Sequence, residues 1–363
     1  MASTSAPKSD VFVDPYSLPT PQPASSSSSS FPSLLPLSTV FSRFNKWRSD
    51  LGLPNPGSVE NLQKEVKTVH LNNYAFDGGR ADITKSMSMN PLFQVTHSFA
   101  LGSQTAPPSY NFGAIFANEK IFLQGGVDHD GNVNARMNHG WTPNFVSKMQ
   151  AQISLQPGHN LLQLEQDYQG QDFNLNAKAV NLWPTDLTGI FVGSYLQSVT
   201  KNFAFGTEWL LQRSTPDTSE LIATYLAKYT SSDKSWIATA QLQPAGVLQA
   251  TYWQKLSEKV EFAADLQLMA SPMRRDAIAT LGAKYDLRLS TFRAQLDSTG
   301  KVSALLEQRF TPTFAFLMSG EIDHFKNSAK VGVGVMIESS TLTQEEMEAQ
   351  MQAMQQQPPS PPL

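Results

Sequence analysis

From about residue 77 to residue 338 the chain alternates apolar and polar side chains with a period of two, in short segments broken by turn residues. The last segment, NSAKVGVGVMIE over 327–338, shows the rule plainly. Ala329, Val331, Val333, Val335 and Ile337 fall on one side, and Lys330, Gly332, Gly334, Met336 and Glu338 on the other. The pattern predicts nineteen strands, the first near 77–87 and the last near 327–338. The breaks carry turn chemistry: Asp130-Gly131-Asn132, Gln156-Pro157-Gly158, Pro216-Asp217, Ser231-Ser232-Asp233 and Ser298-Thr299-Gly300. Most segments run roughly 9–12 residues, the length that crosses a bilayer when tilted. Soluble strands average nearer 5–6.

Alternation alone does not say which face is inside. In one segment Phe292, Ala294 and Leu296 oppose Arg293, Gln295 and Asp297; in another Phe173, Leu175, Ala177 and Ala179 oppose Asn174, Asn176 and Lys178. Number and length decide. A ring of so many long strands is too wide for side chains to fill, so its polar face lines a wet lumen and its apolar face meets lipid. Trp141, Trp183, Trp236, Tyr168, Tyr229 and Tyr285 stand near strand ends, as interfacial girdles do. Met87, Met89, Phe93 and Phe99 could offer apolar patches to a passing substrate, but lipid-facing or packing roles fit them better. An odd count of antiparallel neighbours leaves the first and last strands pointing the same way, so closure has to be parallel.

Before the strands the pattern differs. Residues 1–37 are rich in Ser and Pro and read as disordered. Residues 38–76 read as two short amphipathic helices. In the first, Phe41, Phe44, Trp47 and Leu51 recur at helical spacing with Arg43, Lys46 and Arg48 opposite, which suits either packing or a partner or membrane surface. In the second, capped by Ser58, Val59, Leu62, Val66 and Val69 form one thin stripe. A surface helix and a helix lying along the inner wall of a barrel both fit that stripe, and the residues favour the surface. Residues 77–338 form the barrel, and 339–363 a polar Gln/Pro-rich tail.

Composition narrows the function. Of 363 residues only 16% are charged, below the usual value of about a quarter. The net charge of −4 argues against a broad nucleic-acid surface. There is no cysteine, which excludes a thiolate nucleophile or thiolate metal site. No apolar run is long enough for a transmembrane helix, and Asp10 and Asp14 make the start a poor mitochondrial presequence. His70, His97, His129, His139, His159 and His324 are scattered and form no metal-binding pair, and no phosphate loop or nucleophile elbow occurs. No catalytic residue, metal or cofactor is expected, and the chain is not read as an enzyme.

Several stretches resemble one family, the pore-forming subunit of the translocase of the outer mitochondrial membrane, most closely its fungal members. They are Asn55-Pro56-Gly57 with VENLQKEV, RADITK with MNPLFQVTHSFALG, LEQDY with Asp172-Phe173, GIFVGSYLQSVT, GAKYDLRLSTFRAQLDSTGK and GEIDHFKN. They lie in order from residue 55 to 338. Ser86-Met87 departs from the family's usual Ala-Phe, and the termini match nothing in particular. The resemblance implies an all-β, 19-stranded transmembrane barrel of the mitochondrial porin type with an amino-terminal helix inside the pore. It implies an integral protein of the mitochondrial outer membrane that passes unfolded precursors from cytosol to intermembrane space. It implies as partners a single-helix receptor subunit, small helical subunits, a second copy of the barrel, precursor polypeptides and membrane lipid. Lys330, Gly332, Val335 and Ile337 are similar to the sorting signal of such barrels' last strand.

Targeting segments are basic and amphipathic, so inward carboxylates would attract them. By parity these are Asp82, Asp128, Glu165, Asp167, Asp172, Glu208, Asp265, Asp297, Glu307 and Glu338. Arg80, Arg136, Lys148, Lys178, Lys284, Arg293, Arg309 and Lys330 share that face, so cross-strand pairing that only shapes the wall is the competing role. Two other functions remain open: a voltage-dependent metabolite channel of the same architecture, told apart by ion selectivity, and a soluble ligand-binding β protein, told apart by carbonate extraction.

Overall fold

The structure, a computed structural model, describes Arg48 and residues 52–72, 74–89, 91–103, 107–155, 160–183, 188–215, 217–270 and 275–339. The Ser/Pro-rich start, all of the first expected helix but Arg48, and the tail lie outside these residues.

Nineteen strands form one sheet. They are β1 (Gly78–Met89), β2 (Leu92–Ala100), β3 (Ser109–Ala117), β4 (Ile121–Asp128), β5 (Val133–Thr142), β6 (Phe145–Ile153), β7 (Leu161–Gln169), β8 (Phe173–Trp183), β9 (Thr188–Ser198) and β10 (Phe203–Thr215). Then come β11 (Thr218–Thr230), β12 (Trp236–Gln243), β13 (Val247–Lys255), β14 (Val260–Ala270), β15 (Arg275–Asp286), β16 (Ser290–Asp297), β17 (Lys301–Thr311), β18 (Phe314–Asp323) and β19 (Ser328–Ser339). Each strand pairs antiparallel with the next. The ring closes through a parallel pairing of β1 with β19, from Gly78 opposite Gly332 to Lys85 opposite Ser339. Closure removes every sheet edge, which is why a half-apolar sheet of this size can sit in lipid.

The faces divide as in a membrane barrel. Ile83, Phe112, Leu123, Leu164, Leu175, Trp209, Leu281, Phe292 and Val333 are exposed on the outer face, joined there by Met87 and Phe99. Facing them on the inner side are Thr96, Asn176, Ser194, Thr224, Thr239, Thr251, Ser303 and Ser319. Register slips occur between Ser86/Ser88, Gly140/Thr142, Val180/Trp183, Arg213/Thr215 and Arg309/Thr311, beside turns where an extra residue bends the strand end.

β1 and β19 begin at the same mouth, here the first mouth, and odd-numbered strands all end at the second. Outward aromatics gather at the second mouth. Tyr168 and Phe173 stand 5.8 Å apart, Phe173 and Tyr195 6.0 Å, Tyr229 and Trp236 4.9 Å, Trp236 and Tyr252 5.9 Å, and Phe310 and Phe314 6.0 Å. Trp141 and Tyr285 join this belt, and the side chain of Trp183 lies outside the described residues. Amphipathic rings at one rim suit the headgroup layer.

The second expected helix differs in form and place. It is a 3-10 turn, Val59–Asn61, followed by α1 (Lys64–Val69), with Gln63 between them at φ −108° and ψ 15°. Ser58 makes no side-chain cap, so the first turn tightens on backbone bonds instead: the Leu62 N–H donates to the Val59 carbonyl. The apolar stripe does not face outward to a surface. It packs on the inner wall.

Candidate conducting lumen

The lumen is shaped by the segment from Pro54 to Phe76. Leu62 inserts among Leu196, Ala204 and Leu226, while Val66 and Val69 pack against Trp253 and Ala263. These two clusters are the main buried apolar groups of the described chain, and they exist because otherwise polar lumen strands carry isolated apolar residues where the stripe lands. Glycine makes room at Gly282, where a Cβ would stand 3.1 Å from the ring of His70. The segment is also tied by polar contacts. Asn55 Nδ2 donates to the Gly170 carbonyl at 2.6 Å, Ser198 Oγ to the Pro54 carbonyl at 2.7 Å and Lys228 Nζ to the Pro56 carbonyl at 3.0 Å. Farther on, Arg293 Nε donates to the Thr68 carbonyl at 3.2 Å, and the Leu71 N–H donates to Gln295 Oε1 at 2.7 Å. The Arg293 guanidinium lies over the Tyr74 ring, 4.4 Å from its centre.

Charge fastens the middle. Glu60 receives Lys178 Nζ at 2.6 Å and Lys148 Nζ at 3.2 Å. Lys148 also reaches Glu165 at 2.6 Å, and Lys178 reaches it at 3.7 Å. Asn176 Nδ2 donates to the same Glu165 carboxylate at 2.7 Å, and Asn174 Nδ2 to Asp167 at 3.0 Å. At the second mouth Arg48 holds Asp172 by two hydrogen bonds of 2.7 and 2.6 Å, reaches Gln197 at 2.7 Å and stacks over Phe173.

The ten predicted acids therefore fall into groups. All except Asp172, which sits in the β7–β8 turn, lie on lumen-facing strand positions. Glu165, Asp167 and Asp172 are buried under the segment and engaged by other groups. Asp82 is also buried and meets Arg80 at 2.7 Å. Glu208 lines a cavity of about 220 Å³ beside Glu60 and Lys67. Asp265 accepts from Gln267 at 3.1 Å and more distantly from Gln249. Glu307 and Glu338 both face Arg309, at 3.3 and 3.7 Å. Asp297 accepts from the Thr299 N–H in its turn. In β19, Lys330 and Gly332 face the lumen, with Lys330 Nζ 4.0 Å from Glu321, while Val335 and Ile337 face out. The residues missed by pattern reading are Glu60, Asn55, Lys228 and Gln197. In the sequence Asn55 and Glu60 stand out only as members of the stretch Asn55-Pro56-Gly57 with VENLQKEV that carries the family resemblance.

Asp128 closes β4, and its carboxylate meets the Nδ1 of His129 at 2.7 Å, with Asp130 3.3 Å from Nε2. The hydrogen bond that His129 donates to the Asp128 carboxylate, aided by the charge of Asp130, raises the His129 pKa above the ordinary imidazole value. The turn is therefore tightest below that ordinary value and loosens as pH rises through the raised one. NMR titration of His129 is expected to show a midpoint above that of a free imidazole, and D128N should return it downward. An unchanged midpoint in D128N would contradict the contact.

A profile of the eukaryotic porin family matches residues 55–332. The chain is 41% identical over 347 residues to the mitochondrial import receptor subunit TOM40 of Saccharomyces cerevisiae, covering 88% of each. It is 40% identical over 337 residues to the tom40 subunit of Neurospora crassa, covering 88% of this chain and 93% of that one. Against the human TOM40 homolog it is 31% identical over 299 residues, covering 78% and 79%.

Proposed function

The chain belongs to the Tom40 family of eukaryotic porins, and from that we propose how its lumen handles a passing polypeptide. It is a protein-conducting channel of the mitochondrial outer membrane and a subunit of an import complex. The family's work is transport rather than catalysis. We take its cargo to be unfolded precursors moving from cytosol to intermembrane space. Its neighbours in the complex are a receptor subunit with one transmembrane helix, small helical subunits and a second copy of the barrel.

The observation that supports the mechanism is the division of the acids. Of those under the N-terminal segment, Glu165 is taken by Lys148 and Lys178, Asp172 by Arg48, and Asp167 by the amide of Asn174. Asp297 near the first mouth, Asp265 in mid-wall, and Glu307 with Glu338 near the second are half-buried and open to the lumen. A basic targeting segment thus meets carboxylates spaced along its path, each weak enough to leave. Lys330, Gly332, Val335 and Ile337 serve as the sorting signal during insertion, a role compatible with closing the ring.

Planar-bilayer conductance of the refolded chain tests this. A cation-preferring current, blocked by an arginine-rich presequence peptide, is expected. In D265N/D297N/E307Q the blocking concentration should rise about tenfold, as for loss of about 1.4 kcal/mol of attraction. An anion-preferring pore indifferent to the peptide would favour a metabolite channel instead.

A further inference from the structure

We propose that the lumen wall from β2 to β6 is a neutral slide that hydrogen-bonds the peptide backbone of the moving chain, an inference that rests on the protein-conducting reading above. The contacts of the N-terminal segment described above fall between β6 and β19. On the opposite wall Asn111, Gln124, Asn134, Gln150 and Gln152 stand exposed to the lumen. None of these five, nor Gln94, makes a side-chain hydrogen bond to another described residue.

Charge is nearly absent there. Among the lumen-facing positions of β2–β6 only Asp128, Arg136 and Lys148 are charged. Asp128 is held in its turn by His129, and Lys148 is taken by Glu60 and Glu165. Arg136 alone stands on the mid-wall.

The register sets the amides in rows. One row crosses Thr84, Thr96, Gly113, Gly126, Asn134 and Gln152, each paired with the next on the neighbouring strand. The adjacent row places Gln124 between Ile115 and Arg136, and Arg136 beside Gln150. Gly113 and Gly126 face each other with no side chain, so the middle of the wall is a shallow trough rimmed by amides. Neighbouring strands are about 4.8 Å apart. A chain lying across them meets an amide on every second strand of the adjacent row, at Gln94, Gln124 and Gln150.

The chemistry fits one partner, an extended polypeptide. A primary amide donates and accepts, as a peptide group does, so it pairs with backbone whatever the sequence. Each such bond contributes only about 0.5–1.5 kcal/mol net, because it replaces a bond to water. The contacts therefore exchange rather than trap. A carboxylate wall holds arginines but repels acidic stretches, and precursors contain both.

A photoreactive residue in place of Gln124 or Gln150, and separately of Asp265 or Glu307, in the full chain decides this. The probe is a precursor arrested by a folded domain, with an acidic, arginine-free stretch in the pore. Cross-links at Gln124 and Gln150 and few at Asp265 and Glu307 are expected. Conversely, Q124L/Q150L should shorten the dwell of the acidic, arginine-free stretch severalfold, by removing two neutral hydrogen-bonding partners of the backbone. These exchanges at exposed positions leave the fold intact. Passage with cross-links confined to Asp265 and Glu307, or a dwell time unchanged in Q124L/Q150L, would overturn the slide alone. A wild-type pore that passes neither probe would overturn the conducting reading beneath it.

Discussion

Gly332→Val is expected to open the seam between β1 and β19. Gly332 faces the lumen opposite Gly78, and a Cβ there would overlap the carbonyl oxygen of Phe76 and stand 2.8 Å from its ring. A ring can turn away, but a backbone oxygen cannot. Phe76 also donates its N–H to Ser319 Oγ at 3.3 Å and lies two residues before the first residue of β1. Displacing it strains the entry to the closing pair. Overpacking of this kind costs about 1–3 kcal/mol, and no other strand pair can take over the closure. Gly320→Ala is the control, because nothing lies within 4 Å of a Cβ at that position. Unfolding in urea, followed by the mobility of the unheated barrel in detergent gels, should show a lower midpoint for Gly332→Val than for Gly320→Ala. Equal midpoints would mean that Phe76 does not seat on the seam.

Glu165→Leu should cost more. The Glu165 carboxylate is 3% exposed and answers two lysines and an amide at once. Removing it leaves Lys148 and Lys178 sharing Glu60, a carboxylate of the segment itself. Breaking a buried ion pair from one side costs about 3–5 kcal/mol, because the remaining charge stays desolvated. The cost should fall when the stranded charge is also removed, so E165L/K148M should be more stable than E165L alone. If the double variant loses the sum of the two single losses, the pair is not coupled as the geometry requires. The uncompensated positive charge should also move the pore's selectivity toward anions.

The strands were legible because a barrel wall enforces period two on each of them. β1 and β19 lie within two residues of the expected 77–87 and 327–338, and β8 reaches Trp183, where a register slip lets it continue past its last regular pair. Parallel closure followed from the odd count. Parity also put Glu165 and Asp167 on the inner face, but it could not show that they are engaged. Their engagement depends on Lys148, Asn174 and Glu60, the last more than a hundred positions away, and no local pattern carries that information. The stripe of Leu62, Val66 and Val69 was equally legible, yet a thin stripe looks the same whether it meets a soluble core or a lumen wall. Its partners Leu196, Leu226, Trp253 and Ala263 sit on four different strands, among polar inward residues. Only the closed ring brings them together.

Parallel closure also dictates when this protein can fold. The strand that seals the ring is the last one made, and its partner, β1, is the first, some 250 positions earlier. Until the ribosome has released β19, every shorter chain presents unpaired edges at both ends and a lipid-facing surface to water. Synthesis and folding are therefore separated in time. The newly made chain has to be kept from premature pairing until it is complete, and closure of the ring is the last step of its assembly.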